Sequence, residues 1–124
     1  MSKIGGKDSA IEMRVRRLLF SLGYRYRLHV ATLPGKPDIV FPGRRKVVFV
    51  HGCFWHRHEG CRRATVPDQN ADFWRRKIER NVARDKDVQE QLKETGWSVL
   101  VIWGCEVRRD TRDLEMRLRY FLEG

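Results

Sequence analysis

Apolar residues near the start of the chain are spaced as on one face of an α-helix. They recur three or four residues apart, at Ile11, Val15, Leu18 and Leu22. Ser9 followed by Glu12 fits a capping box, and Gly23 supplies a stop signal. The pattern therefore predicts a first helix from about Ala10 to Leu22.

Three short segments after this helix have the character of β-strands. Residues 24–30 alternate between apolar and polar side chains until residues 33–37, which include two prolines and a glycine, interrupt the pattern. Residues 38–41 and 46–50 are mostly apolar and are separated by a Pro-Gly turn at 42–45. These two segments are predicted to pair as a hairpin.

The second half of the chain alternates helix and strand. Residues 53–70 follow neither period, and a structureless connection of that length in a small domain needs an anchor. Asn70 is predicted to cap a long helix that runs to about Thr95, residues 97–103 form an apolar strand, and a last helix begins near Thr111. The buried stripe of the long helix is predicted to contain Trp74, Ile78, Val82, Val88 and Leu92. The order αβββαβα favours an α/β fold with a mixed sheet flanked by helices.

The charge of the chain predicts a polyanionic partner. The 124 residues carry 26 Lys plus Arg against 16 Asp plus Glu, a formal net charge of +10. The hydrophobic fraction of 41% is too high for a disordered basic tail, so the charged residues are predicted to lie on the surface of a folded domain. We predict one domain over residues 1–124, because chains of this length rarely split.

The sequence also bears on the compartment. Its longest apolar stretches, 46–50 and 97–103, are far shorter than the roughly 20 residues of a membrane helix. The first seven residues contain no apolar run, so they are not a secretory signal. We expect a cytoplasmic, nucleoid-associated protein. In that reducing compartment three cysteines favour metal binding or catalysis over disulfides.

The string HGCFWHRHEGC concentrates three histidines and two cysteines in eleven residues. Its short gaps between Cys53, His58 and Cys61 allow one loop to wrap a tetrahedral zinc ion. Cys105, just after the last strand, is the predicted fourth ligand and would clip the loop to the sheet. His56 could replace His58 in this set. The other interpretation is that the cysteines are small core residues and the histidines are surface groups.

Four motifs along the chain resemble a known family. They are Pro37-Asp38, His51-Gly52-Cys53-Phe54-Trp55-His56, Phe73-Trp74 with Asn81 and Asp85, and Trp103-Gly104-Cys105. Over about residues 7–122 the chain resembles the very short patch repair (Vsr) mismatch endonucleases. The resemblance implies a restriction-endonuclease-like fold with an αβββαβ core. It also implies an enzyme that nicks double-stranded DNA beside a T:G mismatch left by deamination of 5-methylcytosine.

The resemblance assigns roles to individual residues. Asp38 matches the metal-binding aspartate, His56 the catalytic histidine, and Asp85 the acid that supports it; His51 and Glu12 match assisting residues. Magnesium would be held by Asp38 and by the backbone carbonyl of residue 50, which is valine here where the family often has threonine. The zinc ligands match Cys53, His58, Cys61 and Cys105, and the aromatic wedge that enters DNA matches Phe54, Trp55 and Trp74.

The chemistry of each residue agrees with its role, and each also has a plainer explanation. Asp38 offers Mg²⁺ a hard oxygen ligand at a sheet edge, or is an ordinary turn aspartate. His56 could take a proton from water while Asp85 holds its ring, or Asp85 is a buried partner of an arginine. Glu12 is explained equally well as a helix cap, and His51 as a histidine at a strand end.

The residues expected to contact DNA also have both a functional interpretation and a plainer one. The aromatic wedge residues can insert between base steps, or they are core aromatics. Three basic clusters can contact phosphates or are simply solvated: Arg14, Arg16 and Arg17; Arg62 and Arg63; Arg75, Arg76 and Lys77. The family carries a basic arm before its first helix and this chain begins just before that helix, so we expect a weaker clamp or dependence on a repair-protein partner.

Two competing functions remain at this point. One is a nuclease with the same core and another DNA substrate, because substrate choice lies in the loops and wedge. The other is a zinc-containing DNA-binding module that recognises distorted duplex without cutting it. One site on one domain is enough to nick a single strand, so we expect a nicking enzyme of this kind to be a monomer.

Overall fold

The computed structural model describes residues 2–53 and 68–123, with side chains described from residue 10 onward. Within them no helix is long and apolar enough to cross a membrane. The elements are α1 (Ser2–Ser21), β1 (Arg27–Leu28), β2 (Ile39–Phe41), a 3₁₀ turn (Pro42–Arg44), β3 (Lys46–His51), α2 (Ala71–Glu94), β4 (Ser98–Trp103), α3 (Gly104–Arg109) and α4 (Thr111–Glu123).

The four strands form one mixed sheet in the order β1-β2-β3-β4. The pairs β1–β2 and β2–β3 are antiparallel, as the hairpin prediction requires, and β3–β4 is parallel. A parallel pair needs a crossover connection, which α2 provides between β3 and β4. The α/β prediction is confirmed, and the fold is consistent with a restriction-endonuclease-like core.

Alternate residues of the central strands pack on opposite faces of the sheet. Val48 and Val50 of β3 join a cluster with α1, α3 and α4, whereas Val47 and Phe49 join a second cluster with α2. This division follows from the two-residue period of a strand. Helices therefore cover both faces, and β3 is buried on both sides.

The start of the first helix differs from the prediction. Helix α1 begins at Ser2, so Ser9 and Glu12 lie inside the helix and do not form its capping box. At the start of α2, Asn70 occupies the predicted N-cap position, but its side chain makes no capping hydrogen bond because its backbone is left-handed, with φ 59°. A sequence signal for capping gives the residue types but not the backbone conformation that capping needs.

Other departures come from tertiary packing. Strand β1 has only two residues, because His29 turns to φ 48° directly after it. Val82 was predicted to be buried but is 37% exposed, whereas Ile78, Val88 and Leu92 are buried. At about 100° per residue, Val82 is rotated about 40° from Ile78 in the direction away from Val88 and Leu92, so it lies at the margin of the buried stripe. The short helix α3 was not predicted. It positions Cys105 immediately after β4.

Candidate active site

Asp38 immediately precedes β2, and its carboxylate is fixed against the neighbouring strand. Its Oδ2 accepts a hydrogen bond of 2.7 Å from the backbone N–H of Val50. This bond extends the β2–β3 pairing past its last backbone partners, Ile39 and Val48. A carboxylate held in this way is positioned more tightly than that of a turn aspartate exposed to solvent.

Val50 presents backbone rather than side chain to this site. Its side chain is buried in the cluster with α1, while its N–H points to Asp38. In an extended strand the N–H and C=O of one residue point to the same side, as paired antiparallel residues show. The Val50 carbonyl therefore points toward β2, to the side on which the Asp38 carboxylate lies.

Glu12 reaches the Asp38 carboxylate from α1. It is 8% exposed, and its Oε2 lies 2.8 Å from His29 Nε2 and 3.7 Å from Arg16 Nη1. One ligand atom from each of Glu12, His29 and Asp38 lies within 4.8 Å of the others. Glu12 therefore lies beside Asp38 and does not cap a helix, and its catalytic role stays a prediction.

The sequence did not single out His29. Because Leu28 pairs with Ile39 in antiparallel register, the next residue along β1 lies opposite the residue that precedes β2. The backbone N–H of His29 donates to the carbonyl of Asp38 at 3.2 Å. His29 could have been predicted only from the register of β1 on β2. That register rests on two residue pairs, which is too few for the sequence pattern to reveal it.

A cavity of about 330 Å³ lies beside Asp38, between the sheet and α2. Its walls bring together three of the predicted catalytic residues, which are Asp38, His51 and Asp85, with Arg84 and Gln89 from α2 beside them. His51 is 5% exposed and its ring contacts that of Trp103, with the centroids 5.3 Å apart. Asp85 is half-buried on the same turn of α2 as Arg84.

His56, predicted to pair with Asp85, lies outside the described residues, as do His58, Cys61, Phe54 and Trp55. The pairing of Asp85 with His56 stays a prediction. Asp85 nevertheless lines the same cavity as Asp38 and His51.

The two described cysteines leave the sheet at the same place. His51 of β3 pairs with Trp103 of β4 in parallel register, and Cys53 and Cys105 each follow two residues later. Neighbouring strands lie roughly 5 Å apart. Cys53 is buried and Cys105 is half-buried at the start of α3. The register therefore brings the two cysteines to the same end of neighbouring strands, and their role as zinc ligands stays a prediction.

Near the start of α2, Trp74 is less buried than its predicted place on the buried stripe requires, and its neighbour Phe73 is exposed. Trp74 is half-buried, whereas Phe73 is 54% exposed, with the two rings packed edge to face at 5.2 Å. The Nζ of Lys77 lies 5.9 Å from the centre of the Phe73 ring. Phe73 is therefore the more accessible of the two aromatic side chains.

Positive charge lies along the exposed sides of α1 and α2, and Arg84 of α2 lines the cavity. The described arginines on the exposed sides of α1 and α2 can meet phosphates without leaving their helices. They are Arg14 and Arg17 on α1, and Arg75, Arg76, Arg80 and Arg84 on α2.

The fold and the site define a class of protein. A mixed sheet with helices on both faces, an aspartate held at the start of its second strand and a second carboxylate from the first helix are typical of restriction-endonuclease-like nucleases. Sequence comparison narrows the class. The family profile described as DNA mismatch endonuclease Vsr matches residues 1–63.

Individual relatives match over most of the chain. The type II nicking enzyme V.XorIIP of Xanthomonas oryzae pv. oryzae is 51% identical over 123 residues, which are 99% of this chain and 89% of the relative. The DNA mismatch endonuclease Vsr of Escherichia coli is 44% identical, covering 87% of this chain and 69% of the relative. The type II nicking enzyme V.NmeAIP of Neisseria meningitidis is 43% identical, covering 87% and 76%. The chain belongs to the DNA mismatch endonuclease Vsr family.

Proposed function

We propose that this DNA endonuclease depends on Mg²⁺ and nicks one strand of a duplex next to a T:G mismatch. The observation that carries the proposal is the Asp38 carboxylate, which is fixed by Val50, lies close to Glu12 and lines the cavity. The names of the relatives, which are mismatch endonuclease and nicking enzyme, support the same reaction class. The T:G specificity follows the resemblance of the motifs.

The donor set around Asp38 fits Mg²⁺. Asp38 and Glu12 provide hard carboxylate oxygens, and the Val50 carbonyl points to the side on which the Asp38 carboxylate lies. Mg²⁺ is commonly held by one or two carboxylates, with water and phosphate oxygens completing its shell. When bound, such an ion polarises a phosphoryl oxygen and lowers the pKa of bound water.

Residues of the chain would provide proton transfer and phosphate contacts. His56 takes a proton from the attacking water, and Asp85 orients its imidazole from the wall of the cavity. His51, buried at the end of β3, faces the same space and can hydrogen-bond a phosphate oxygen. Arg84 provides a positive charge at the cavity edge where the DNA backbone would pass.

Zinc would have a structural role, bound by Cys53, His58, Cys61 and Cys105. The register of β3 and β4 brings the first and last of these to one end of the sheet. A bound ion there would tie the loop that carries His56 to the two central strands. Thiolate and imidazole ligands suit zinc in this kind of closed site.

Mismatch recognition would use aromatic side chains of this chain. Inserting a ring between base steps costs a few kcal/mol of stacking, and this cost is lowest where pairing is already weak. Phe54, Trp55 and Trp74 are the proposed wedge, and the ring of Phe73, next to Trp74, is exposed and could also contact bases. A monomer has the one site needed for a nick, and binding to DNA would associate it with the nucleoid.

The test is a nicking assay on a labelled duplex with one T:G mismatch in varied sequence contexts, next to a matched duplex. We expect cutting of the T strand with Mg²⁺ and none with EDTA. The Asp38→Asn variant should lose at least about a hundredfold in rate, because it removes the charge but keeps an oxygen that can accept the Val50 bond.

Asp87→Asn is the matched control, because it removes the same charge from an exposed position of α2 outside the cavity wall. Its rate should equal that of the wild type. Retained cutting by Asp38→Asn would refute the assignment of the metal ligand. A zinc-loaded protein that binds the mismatched duplex but never cuts it would instead support the DNA-binding module. Equal cutting of the matched duplex would point to a nuclease with another substrate.

A further inference from the structure

His29 adds a nitrogen donor to a site that the proposed function builds from oxygen alone. Its Nε2 lies 2.8 Å from Glu12 Oε2, and both atoms are within 4.8 Å of an Asp38 carboxylate oxygen. No other group of three ligating side chains this close occurs in residues 10–53 and 68–123. The three donors come from α1, the segment after β1 and the residue before β2.

The distance between His29 and Glu12 matches an edge of an octahedral coordination shell. With metal–ligand bonds of about 2.1 Å, neighbouring ligands are about 3 Å apart and opposite ligands about 4.2 Å apart. The 2.8 Å contact between His29 and Glu12 is the separation of neighbouring ligands. An ion bound there replaces this hydrogen bond with two coordination bonds and needs only small movements of the three side chains.

Each donor is held by contacts that do not depend on an ion. Glu12 is nearly buried within α1. The backbone N–H of His29 donates to the Asp38 carbonyl, and the Asp38 carboxylate accepts from Val50. The His29 side chain remains 45% exposed, so an ion can enter from solvent. The site is preorganised and accessible.

The nitrogen changes which ion the site favours. Carboxylates suit Mg²⁺ and Mn²⁺ alike, but imidazole is a good ligand for first-row transition metals and a poor one for Mg²⁺. We propose that Glu12, His29 and Asp38 together form a tridentate site for a first-row transition metal ion, of which Mn²⁺ is the ion to probe. The inference rests on the proposed function for the role of Asp38 as a metal ligand.

One positive charge opposes the ion. Arg16 Nη1 lies 3.7 Å from Glu12 Oε2 and shares that carboxylate with His29. An ion with charge +2 and short bonds outcompetes a guanidinium at that distance only if several donors hold it at once. Three donors therefore matter more here than they would at an open surface, and removal of the imidazole should be felt strongly.

The test is a titration of the zinc-loaded full chain with Mn²⁺, in which the EPR signal of free Mn²⁺ reports binding without any DNA. Mn²⁺ is chosen because thiolate ligands are poor for it, so the proposed zinc cluster does not compete. His29→Gln should raise the Kd for Mn²⁺ about tenfold or more, because the amide can still bond Glu12 but replaces the imidazole nitrogen with a weaker neutral oxygen ligand.

Competition with Mg²⁺ sharpens the result. The Kd for Mg²⁺ should change less than about threefold in His29→Gln, so that the preference for Mn²⁺ falls. Thr32→Ala is the matched control, since it alters an exposed neutral side chain close to His29 along the same segment. Circular dichroism should show the same fold in all variants, because His29 and Thr32 are both exposed residues.

Equal Mn²⁺ affinity in wild type and His29→Gln would overturn the inference, and so would Mn²⁺ binding that survives Asp38→Asn. The nicking assay separates this failure from failure of the proposed function. Loss of Mn²⁺ binding in His29→Gln without metal-dependent nicking in any protein would leave the metal site standing and remove the proposed function. Mg²⁺-dependent nicking with no effect of His29 on Mn²⁺ binding would do the reverse.

Discussion

The two faces of the sheet are packed very differently. On the face covered by α1, α3 and α4, twelve buried apolar residues form one cluster, whereas the described part of the α2 face has five. The 330 Å³ cavity, with Asp38, His51 and Asp85 in its walls, lies on the α2 side. The first face therefore contributes most of the apolar stability, and the second leaves room for polar groups and a substrate.

This difference has a physical cause. Charged groups cannot be buried among apolar side chains without partners, so a catalytic cavity needs a gap in the packing. The gap is bounded by a close approach of the loop before β2 to α2. A Cβ placed on Gly35 would lie 2.3 Å from Cγ1 of Val88, so only glycine allows this contact.

The largest expected effect tests the stability of the larger cluster. Leu118 is completely buried against it, and Leu118→Ala should lower the free energy of unfolding by about 2–5 kcal/mol through lost burial and a new cavity. Denaturant unfolding measures the loss. The nicking rate per folded molecule should stay the same, because α4 does not reach the cavity.

Met116→Ala on the same helix is the control for this variant. Met116 is 68% exposed, so its removal should change the free energy of unfolding by less than about 0.5 kcal/mol. If Leu118→Ala reduced nicking by folded protein as much as Asp38→Asn, the two faces would not divide stability and chemistry as described here.

A smaller effect on stability, but a larger one on activity, is expected at Gly35. Gly35→Ala should cost about 1–3 kcal/mol, because the new methyl group meets Val88 and the backbone has φ +71°. Nicking should fall as well, since the displaced loop carries Asp38 three residues later. Val88→Ala in the same chain should restore part of both losses, which a double-mutant cycle measures.

Two other glycines separate the causes. Gly23 has φ +89° with open space around it, so Gly23→Ala tests strain alone. Gly43 has open space and no unusual φ, so Gly43→Ala should be nearly neutral. Equal effects at Gly35 and Gly43 would show that the contact with α2 does not hold the loop.

The smallest effect concerns pH at the edge of the larger cluster. The phenol of Tyr24 donates a hydrogen bond of 2.5 Å to Glu123, and this bond, with lesser contributions from burial and the nearby carboxylate charge, raises the pKa of Tyr24 above its ordinary value of 10.0. A raised pKa in the folded state gives stability that is complete below pH 10 and is lost as pH rises through the raised value.

Stability measured against pH should therefore fall more gently above pH 10 in Tyr24→Phe than in the wild type, and Glu123→Gln should shift the tyrosinate absorbance titration back toward the ordinary pKa. Tyr120→Phe is the control, since Tyr120 is 83% exposed. A steeper fall in Tyr24→Phe than in the wild type would contradict the assigned hydrogen bond.

Much of the fold was predictable from periodicity. The strands at 38–41, 46–50 and 97–103 and the helices beginning near 70 and 111 agree with the structure to within about two residues. Long segments that keep one period are read reliably because each buried position repeats the signal. β1, with two residues, and α3, with six, are too short to carry such a signal.

The sequence predicted which residues belong to the candidate site but not how they are arranged in space. Motif resemblance selected Asp38, Glu12, His51 and Asp85, and the structure brings Glu12 next to Asp38 and places the other two around the cavity beside it. It did not select His29, whose relation to Asp38 depends on strand register. Nor did it show that Glu12 is internal to α1, because a capping signal and a buried carboxylate look alike in sequence.

The sequence by itself determined the order of the four strands and the longer helices, the basic charge and the family, because each is written in local spacing or residue identity. Only the tertiary structure decided which donors meet. Glu12, His29 and Asp38 are separated by many residues and converge because α1 packs on a sheet whose first two strands pair in one register. Cys53 and Cys105 leave adjacent strands at one level for the same reason. Such convergence is set by long-range pairing, which no local pattern encodes.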